Sequence, residues 1–366
     1  MTIIQDLPNV AFTENVPNLI IGGYSGEAFK ISANINGVSL FSNTTFYPDS
    51  NFKITVYTQK LAKILPPQAA PDFPWAKSLP MLNITVVAGN QTQKFSCTLL
   101  PGGIDPKITD IQEWMAHNFL TWQPQAVETT FDQPQQLYLA GAKETNASIY
   151  TKLYTQDGLS FIKKIGNGPS SSSAFLYRYN VGYNDLWKAF CEEKGLTPLC
   201  YDVYGTDGDG TTMYPRMPFA QRYLPRAPRH NDVCFGFTNT LGGFDTLMMQ
   251  GLIKFKPKGE NETIINDALE EELTNGYTSY WEASTGYIDS ARMAAQYQDF
   301  LKSTQRWIFK DGQWLKIIVD EYKAENSPLE LNDYTFTFHL AEKNERRYFE
   351  RQYLSKPTLP SDFFKE

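Results

Sequence analysis

The sequence predicts a mainly β protein with an α+β C-terminal domain: tandem β-sandwich-like domains, then a hairpin-helix-hairpin-strand module. Three observations carry this. Apolar residues recur at every second position in many short runs, the mark of half-buried strands. Asn-Gly, Asp-Gly and Gly-Gly pairs stand between those runs, where tight hairpins need φ > 0. Tyr, Phe and Trp make up 14% of the 366 residues, weighted to Tyr and Phe, which fit a pleated surface.

The first region, 1–102, reads as a β-sandwich-like domain. Leu19-Ile20-Ile21 leads to Gly22-Gly23, and Ala28 to Ile35 alternates up to Asn36-Gly37, a type I′ hairpin signal. FKITVY (52–57) and LNITVV (82–87) supply further strands. Between them, five prolines in 64–80 exclude regular structure and predict an extended arm or loop. Gly102-Gly103 closes the domain.

Region 103–232 reads as a second β-rich domain with short helices. Thr109 to Gln112 has the capping-box pattern and opens a helix, ITDIQEWMAHNFL. A strand at Leu137–Leu139 precedes ASIYTKLY and LSFIKKI, joined at Asp157-Gly158. NGPSSSS (167–173) predicts a loop, FLYRYNV a strand, and NDLWKAFCEEKG a helix with an Asn or Asp cap and Gly195 as its stop.

Region 233–345 changes to α+β. Val233–Thr238 and Leu247–Phe255 read as strands, the second placing Leu247, Met249, Ile253 and Phe255 on one face. Asp289 or Ser290 caps a helix, ARMAAQYQDFLKS. The Asp311-Gly312 turn sets Phe309 opposite Trp314 and Ile308 opposite Leu315. In YTFTFHL, Tyr334, Phe336, Phe338 and Leu340 share a face. The charged, aromatic segment 346–366 predicts a docking tail.

Composition narrows the function classes. Apolar residues at 42% and charged residues at 20% describe a globular chain, and a net charge of −7 argues against a protein that coats nucleic acid. The N-terminal stretch has no basic and apolar signal regions, so no secretion signal is expected, and no apolar run reaches a membrane span. Cys97, Cys191, Cys200 and Cys234 are scattered, which predicts free buried thiols.

The chemical candidates resolve to structural readings. His117 lies one helical turn after Glu113, a surface pair and not a zinc-protease motif. His339 falls on the Thr335/Thr337 side of the last strand, and His230 has no partner nearby in sequence. YGTDGDGTT (204–212) begins like a calcium loop, but the twelfth residue from Asp207 is Pro218 where a bidentate Glu is needed. A hairpin tip is the better reading, with Asp207 and Asp209 open to adventitious calcium. Arg216, Arg222, Arg226 and Arg229 form an extended basic strip, read as a linker or protein contact before a nucleic-acid grip. The carboxylates of Asp267–Glu272 lack the opposed faces a glycosidase needs and read as a solvated helical or loop surface. Trp114, Trp122 and Trp187 read as packing residues before sugar platforms.

The stretch CFGFTNTLGGFDTLMMQG (234–251) raises the sharpest question. A phosphate cradle needs a helix N-terminus after its glycines. Here FDTLMMQGLIKFK alternates as a strand, with no Lys-Ser/Thr, so Gly242-Gly243 reads as a hairpin corner. No catalytic, cofactor-binding or metal residue is assigned.

The pattern FxNxLGGFDTLxxxG, with SxTGYIDSARMAAQYQDFL, RWIFKDGQWLKIIVDEYK and LNDYTFTFHLAEKNE, resembles the C-terminal region of tail or baseplate-type structural proteins of Bacteroidetes phages and prophages. The resemblance covers roughly 233–345, and FYPDSNFKITV is loosely similar to their leading β-sandwich. It implies a non-enzymatic virion protein of the tail, baseplate or head-to-tail region, assembled in the host cytoplasm. Its implied partners are copies of itself in a ring-like oligomer and other virion proteins. Membrane partners are not expected, and nucleic acid is disfavoured. In the assembly reading, segments 64–80, 216–230 and 342–366 make protein–protein contacts. The rivals are a carbohydrate-binding or glycan-processing β-sandwich protein and a nucleic-acid-handling protein using the 216–230 strip.

Overall fold

The structure, a computed structural model, describes residues 1–22, 28–108, 110–141, 148–168, 175–206, 220–266, 269–288, 290–324 and 333–341. For 116, 257–266 and 269–278 it describes the backbone alone. Asp207, Asp209, Arg216, the Ser-rich stretch 169–173 and the tail 342–366 lie outside the described residues. The chain is mainly β and groups into two compact units, Met1–Arg226 with Thr238–Asp245, and Ala227–Phe237 with Thr246–Glu366.

The first unit opens with β1 (Thr2–Gln5), β2 (Val10–Phe12), β3 (Leu19–Gly22), β4 (Phe29–Ile35), β5 (Val38–Phe46) and β6 (Lys53–Val56). Helix α1 (Thr58–Ala62), β7 (Ala76–Ser78), β8 (Met81–Ala88) and β9 (Gln91–Leu100) follow. A five-stranded sheet, β2-β9-β8-β4-β5, and a three-stranded sheet, β1-β3-β6, share one core. Ile31, Leu82, Ile84 and Val86 from the larger sheet meet Leu19, Ile21, Ile54 and Val56 from the smaller. Each such burial contributes roughly 2 kcal/mol against exposure. The hairpin at Asn36-Gly37 is as the sequence predicts, with φ of 50° and 82° at the two positions.

The unit continues with α2 (Ile111–His117), β10 (Ala126–Thr130), β11 (Gln136–Gly141), β12 (Ser148–Thr155), β13 (Ser160–Asn167) and β14 (Phe175–Asn180). Then come α3 (Tyr183–Leu186), α4 (Lys188–Lys194), β15 (Pro198–Thr206) and β16 (Gln221–Arg226). A five-stranded sheet, β10-β16-β15-β12-β13, faces a three-stranded one, β11-β14-β7, across a core rich in tyrosine. Leu137, Leu139, Tyr177 and Tyr179 meet Ile149, Leu153, Tyr201, Val203 and Tyr223.

Local signals differ in detail from the expectation. The cap of α2 is Asp110, whose carboxylate accepts from Glu113 N at 2.9 Å, one residue after the predicted Thr109. Asn184 and Asp185 are not caps: they lie inside α3, and the predicted single helix breaks at Trp187. That indole is buried, with Nε1 donating to Thr151 Oγ1 at 3.0 Å, so anchoring it outweighs helix continuity. Gly195 does end α4 in the left-handed region, φ 65°.

The second unit carries β17 (Val233–Thr238), β18 (Phe244–Met249), β19 (Ile253–Asn266), β20 (Leu269–Ser284), α5 (Ala291–Lys302), β21 (Arg306–Lys310), β22 (Gln313–Ala324) and β23 (Tyr334–Leu340). They form one sheet ordered β18-β17-β21-β22-β23-β20-β19. β18 and β19 are opposite edges joined by Gln250–Leu252 alone, so the sheet must curl to bring its edges together. The predicted continuous strand Leu247–Phe255 is therefore split. Gly251 passes Ser284 so closely that a β-carbon would lie 2.5 Å from its carbonyl oxygen.

Ser290 caps α5 by accepting from Met293 N at 3.2 Å, and the helix packs on the curled sheet. Phe300 meets Phe235, Phe237 and Phe336 at ring separations of 5.2 to 5.8 Å. The pairs Phe309↔Trp314 and Ile308↔Leu315 are in the predicted register. Tyr334, Phe336 and Phe338 are buried on one face, as expected.

Candidate assembly surfaces

The Gly-Gly turn is a built corner. Asn239 N donates to Gly243 O at 3.0 Å, and Asn239 Oδ1 accepts from Leu241 N at 3.0 Å and Gly243 N at 2.9 Å. Gly242 has φ +82°, which an L side chain resists. Gly243 is needed for a different reason: its Cα lies against the Leu120 carbonyl, 2.0 Å from where a β-carbon would stand. Next to the turn, the buried Asp245 accepts from Thr121 Oγ1 at 2.6 Å and Trp122 N at 2.9 Å. The N–H groups of Asn239, Leu241, Gly242 and Gly243 are all spent within the turn, so the corner is architecture and not an anion cradle.

The arginine strip is partly neutralised and partly strand. Arg222 makes a bidentate pair with Asp202, at 2.6 and 2.7 Å, and lies 5.6 Å from the Tyr154 ring centre. Arg226 pairs with Glu128. The linker reading of this stretch is corrected: Gln221–Arg226 runs parallel to β10 and antiparallel to β15, inside a sheet. Gln221, Tyr223 and Pro225 are buried while Leu224 is exposed, an alternation the apolar pattern of QRYLPR does not display.

The histidines take supporting roles. His117 Nδ1 lies 2.7 Å from Glu113 O and 3.4 Å from its carboxylate. His339 Nδ1 is 2.8 Å from Asp320 Oδ2 and its ring meets Tyr280. His230 is exposed in the turn before β17. All four cysteines are free and buried, and burial pushes the Cys97 thiol up to about 12. Trp114 packs edge-on against Phe12, and Trp122 Nε1 donates to Thr240 Oγ1 at 2.8 Å.

The proline arm contacts its own chain. Pro71 O accepts from Arg178 Nη1 at 2.9 Å, Ala70 O accepts from Tyr138 Oη at 2.9 Å, and Phe73 is buried edge-on to Tyr138. Its end is β7, paired to β14 through Phe175↔Ser78 and Tyr177↔Ala76. The expectation that five prolines exclude regular structure is corrected, because Ala76–Ser78 holds no proline and can join a sheet edge. Trp75 beside it is 67% exposed and tilted 55° to Tyr177.

The least expected surface is the β19–β20 ribbon. The two strands pair from Ile253↔Ala283 to Asn266↔Leu269, with one slip after Glu262. β23 supports only Trp281–Ser284 of β20. From Lys256↔Tyr280 outward the ladder has no third strand among the described residues, over roughly 30 Å at strand rise. Residues 257–279 carry six acidic residues against one lysine. The solvated helix or loop expected at Asp267–Glu272 is corrected for Leu269–Glu272, which are ladder residues. Pairing with Thr263–Asn266 overrides the helix preference of a Glu-rich run. At the ribbon's root Lys256 and Lys254 flank Glu282 and hold its carboxyl below the usual range.

Among the described residues, no group of three or more His, Cys, Asp or Glu side chains is placed to hold a metal ion, and no helix is long and apolar enough to cross a membrane. No protein family and no curated protein matches the sequence. Among solved structures, the N-terminal four Ig domains of Dscam1 isoforms 1.9 and 4.44 align at 6% and 7% identity. They cover 94% and 93% of this chain and 93% and 92% of theirs, with TM-scores of 0.18 and 0.16. Similarity that low carries no argument about fold or function.

Proposed function

We propose that this chain is a structural subunit of a virion, of the tail, baseplate or head-to-tail region, working by symmetric assembly with copies of itself. The observation that supports this is the β19–β20 ribbon, which, among the described residues, continues about ten residue pairs past its last supporting strand. A two-stranded ribbon is marginally stable in water, and its unpaired edges invite another chain. A protein that keeps such an element has a use for a neighbour there. The nine-residue edge strand β5 (VSLFSNTTF), uncharged along its length, adds a second open edge. Closed rings form when one such heterologous contact repeats around an axis.

The reading needs no cofactor or catalytic residue. The glycan rival predicts an exposed aromatic platform; the exposed Trp75 is tilted 55° to Tyr177 and makes no flat stacking platform with it. The nucleic-acid rival loses two of its four arginines to internal carboxylates.

The test is the native state of the full chain. Light scattering and electron microscopy should find several copies per ring. A soluble monomer at every concentration, binding a defined sugar, overturns the reading.

A further inference from the structure

We infer that β11 and β14 carry a peptide-recognition site, and that the ligand it holds is the chain's own segment 69–78. The site combines strand addition with pinned carbonyls, one of the ways a folded domain takes up an extended peptide. It stands independently of the assembly reading.

The segment is held as a bound peptide is held. Ala62 before it and Leu82 after it lie in the core of the first pair of sheets, so the chain leaves that pair, crosses the second and returns. Side chains of the second pair meet its backbone oxygens in turn. Ala70 O accepts from Tyr138 Oη at 2.9 Å, and Pro71 O accepts from Arg178 Nη1 at 2.9 Å and Gln136 Nε2 at 3.3 Å. Ala69 O accepts from Thr238 Oγ1 at 2.7 Å, and Trp75 O from the Arg178 N–H at 2.8 Å. Phe73 is the anchoring side chain, 3% exposed, with its ring centre 5.5 Å from that of Tyr138. Ala76–Ser78 then adds the third strand to a sheet that β11 and β14 otherwise form as a pair.

These contacts read backbone carbonyls and one aromatic ring, so they specify an extended segment with a phenylalanine at its middle. Pro66, Pro67, Pro71 and Pro74 restrict the segment before it docks, which lowers the entropy lost on binding. Lifting the segment lays open the Tyr138 ring and the outer edge of β14. Covalent linkage gives the segment a high effective concentration at the site, and it thereby keeps other peptides out.

A free peptide, PPQAAPDFPWAKS (66–78), tests this in trans. In a full chain whose residues 66–78 are replaced by a Gly/Ser linker of equal length, one peptide should bind per chain. The wild-type chain should bind it at least about a hundredfold more weakly, because the segment in cis competes. Phe73→Ala in the peptide, or Arg178→Ala in the linker chain, should each cost at least about tenfold. A linker chain that folds, by circular dichroism, yet binds the peptide no better than a scrambled one overturns the inference. So does a wild-type chain that binds as tightly as the linker chain. A wild-type dimer that the peptide converts to monomers shows the segment exchanged between copies and overturns the cis assignment. If the linker chain does not fold, Phe73→Ala in the otherwise intact chain decides. It should bind the wild-type peptide at least about tenfold more tightly than the wild-type chain does, and its Arg178 amide should exchange faster with solvent. No gain in binding there overturns the inference.

Discussion

A β-carbon on Gly242 would lie 1.8 Å from the carbonyl oxygen of Pro101. The same glycine has φ +82°, so alanine meets a steric wall and an unfavourable backbone together. Gly242→Ala should destabilise the first unit by about 3–5 kcal/mol, more than overpacking alone. Gly37 has the same φ of +82° but open space around it, so Gly37→Ala should cost only about 1 kcal/mol. Urea unfolding of both variants checks the ranking. Equal losses would remove the close approach as the reason for the glycine.

The alkaline limit of stability follows from buried acids. Burial lifts the Cys97 thiol from about 9 to about 12, and raises the Tyr201 and Tyr223 hydroxyls in the same direction. Each group keeps its proton in the fold where the unfolded chain gives it up. The stabilisation is complete below the unfolded value and is lost as pH rises from about 9 towards 12. Each such proton contributes a slope of about 1.4 kcal/mol per pH unit. Urea midpoints should therefore fall between pH 8.5 and 10.5, and Cys97→Ala should flatten that fall by one proton. A midpoint that does not move contradicts this. In the native fold, a thiol reagent at pH 8 should find none of the four cysteines reactive.

Much of the architecture was legible because the signals were local. Asn36-Gly37 and Asp311-Gly312 each place two residues at positive φ, and a two-residue turn then fixes its hairpin register. What was not legible depended on distant partners. Nothing near Ala76–Ser78 announces Phe175–Tyr177 as its partner, about a hundred residues on. The break at Gln250–Leu252 arises because the sheet curls, a property of seven strands and not of that stretch. The ribbon was hidden by composition, since Glu270–Glu272 favour helix until a facing strand holds them extended. For the candidate surface, the sequence displayed the ribbon's charges but not that, among the described residues, no third strand flanks its outer length.

The Asp202–Arg222 pair is asymmetric, and its mutants should show it. The Asp202 side chain is 1% exposed while that of Arg222 is 45% exposed. Removing the arginine leaves a buried carboxylate with the Tyr154 hydroxyl but no cation; removing the acid leaves a guanidinium that water can solvate. Arg222→Ala should cost about 2 kcal/mol, and Asp202→Asn less, because stranding a buried charge is the larger penalty. Retention on a DNA column should not change with Arg222→Ala. A salt-dependent loss of DNA binding in that variant would revive the nucleic-acid reading.

Phe300 holds α5 to both halves of the curled sheet. Its ring is fully buried and touches Phe235 and Phe237 from β17 and Phe336 from β23, strands separated by β21 and β22. Truncation leaves a cavity that three aromatic rings and a curved sheet cannot easily close, so Phe300→Ala should cost about 4 kcal/mol. Phe300→Leu fills much of that space and should cost about 1.5 kcal/mol. The helix end should survive in both, since Arg306 Nε donates to the backbone oxygen of residue 300 at 2.7 Å, a contact that truncation leaves intact. Hydrogen exchange localises the effect. Amides of Val233–Phe237 should exchange faster in the alanine variant while those of Leu82–Val86, in the core of the first unit, keep their protection. Equal acceleration in both segments, or a leucine variant as damaged as the alanine one, would show that the ring does not act as this local clamp.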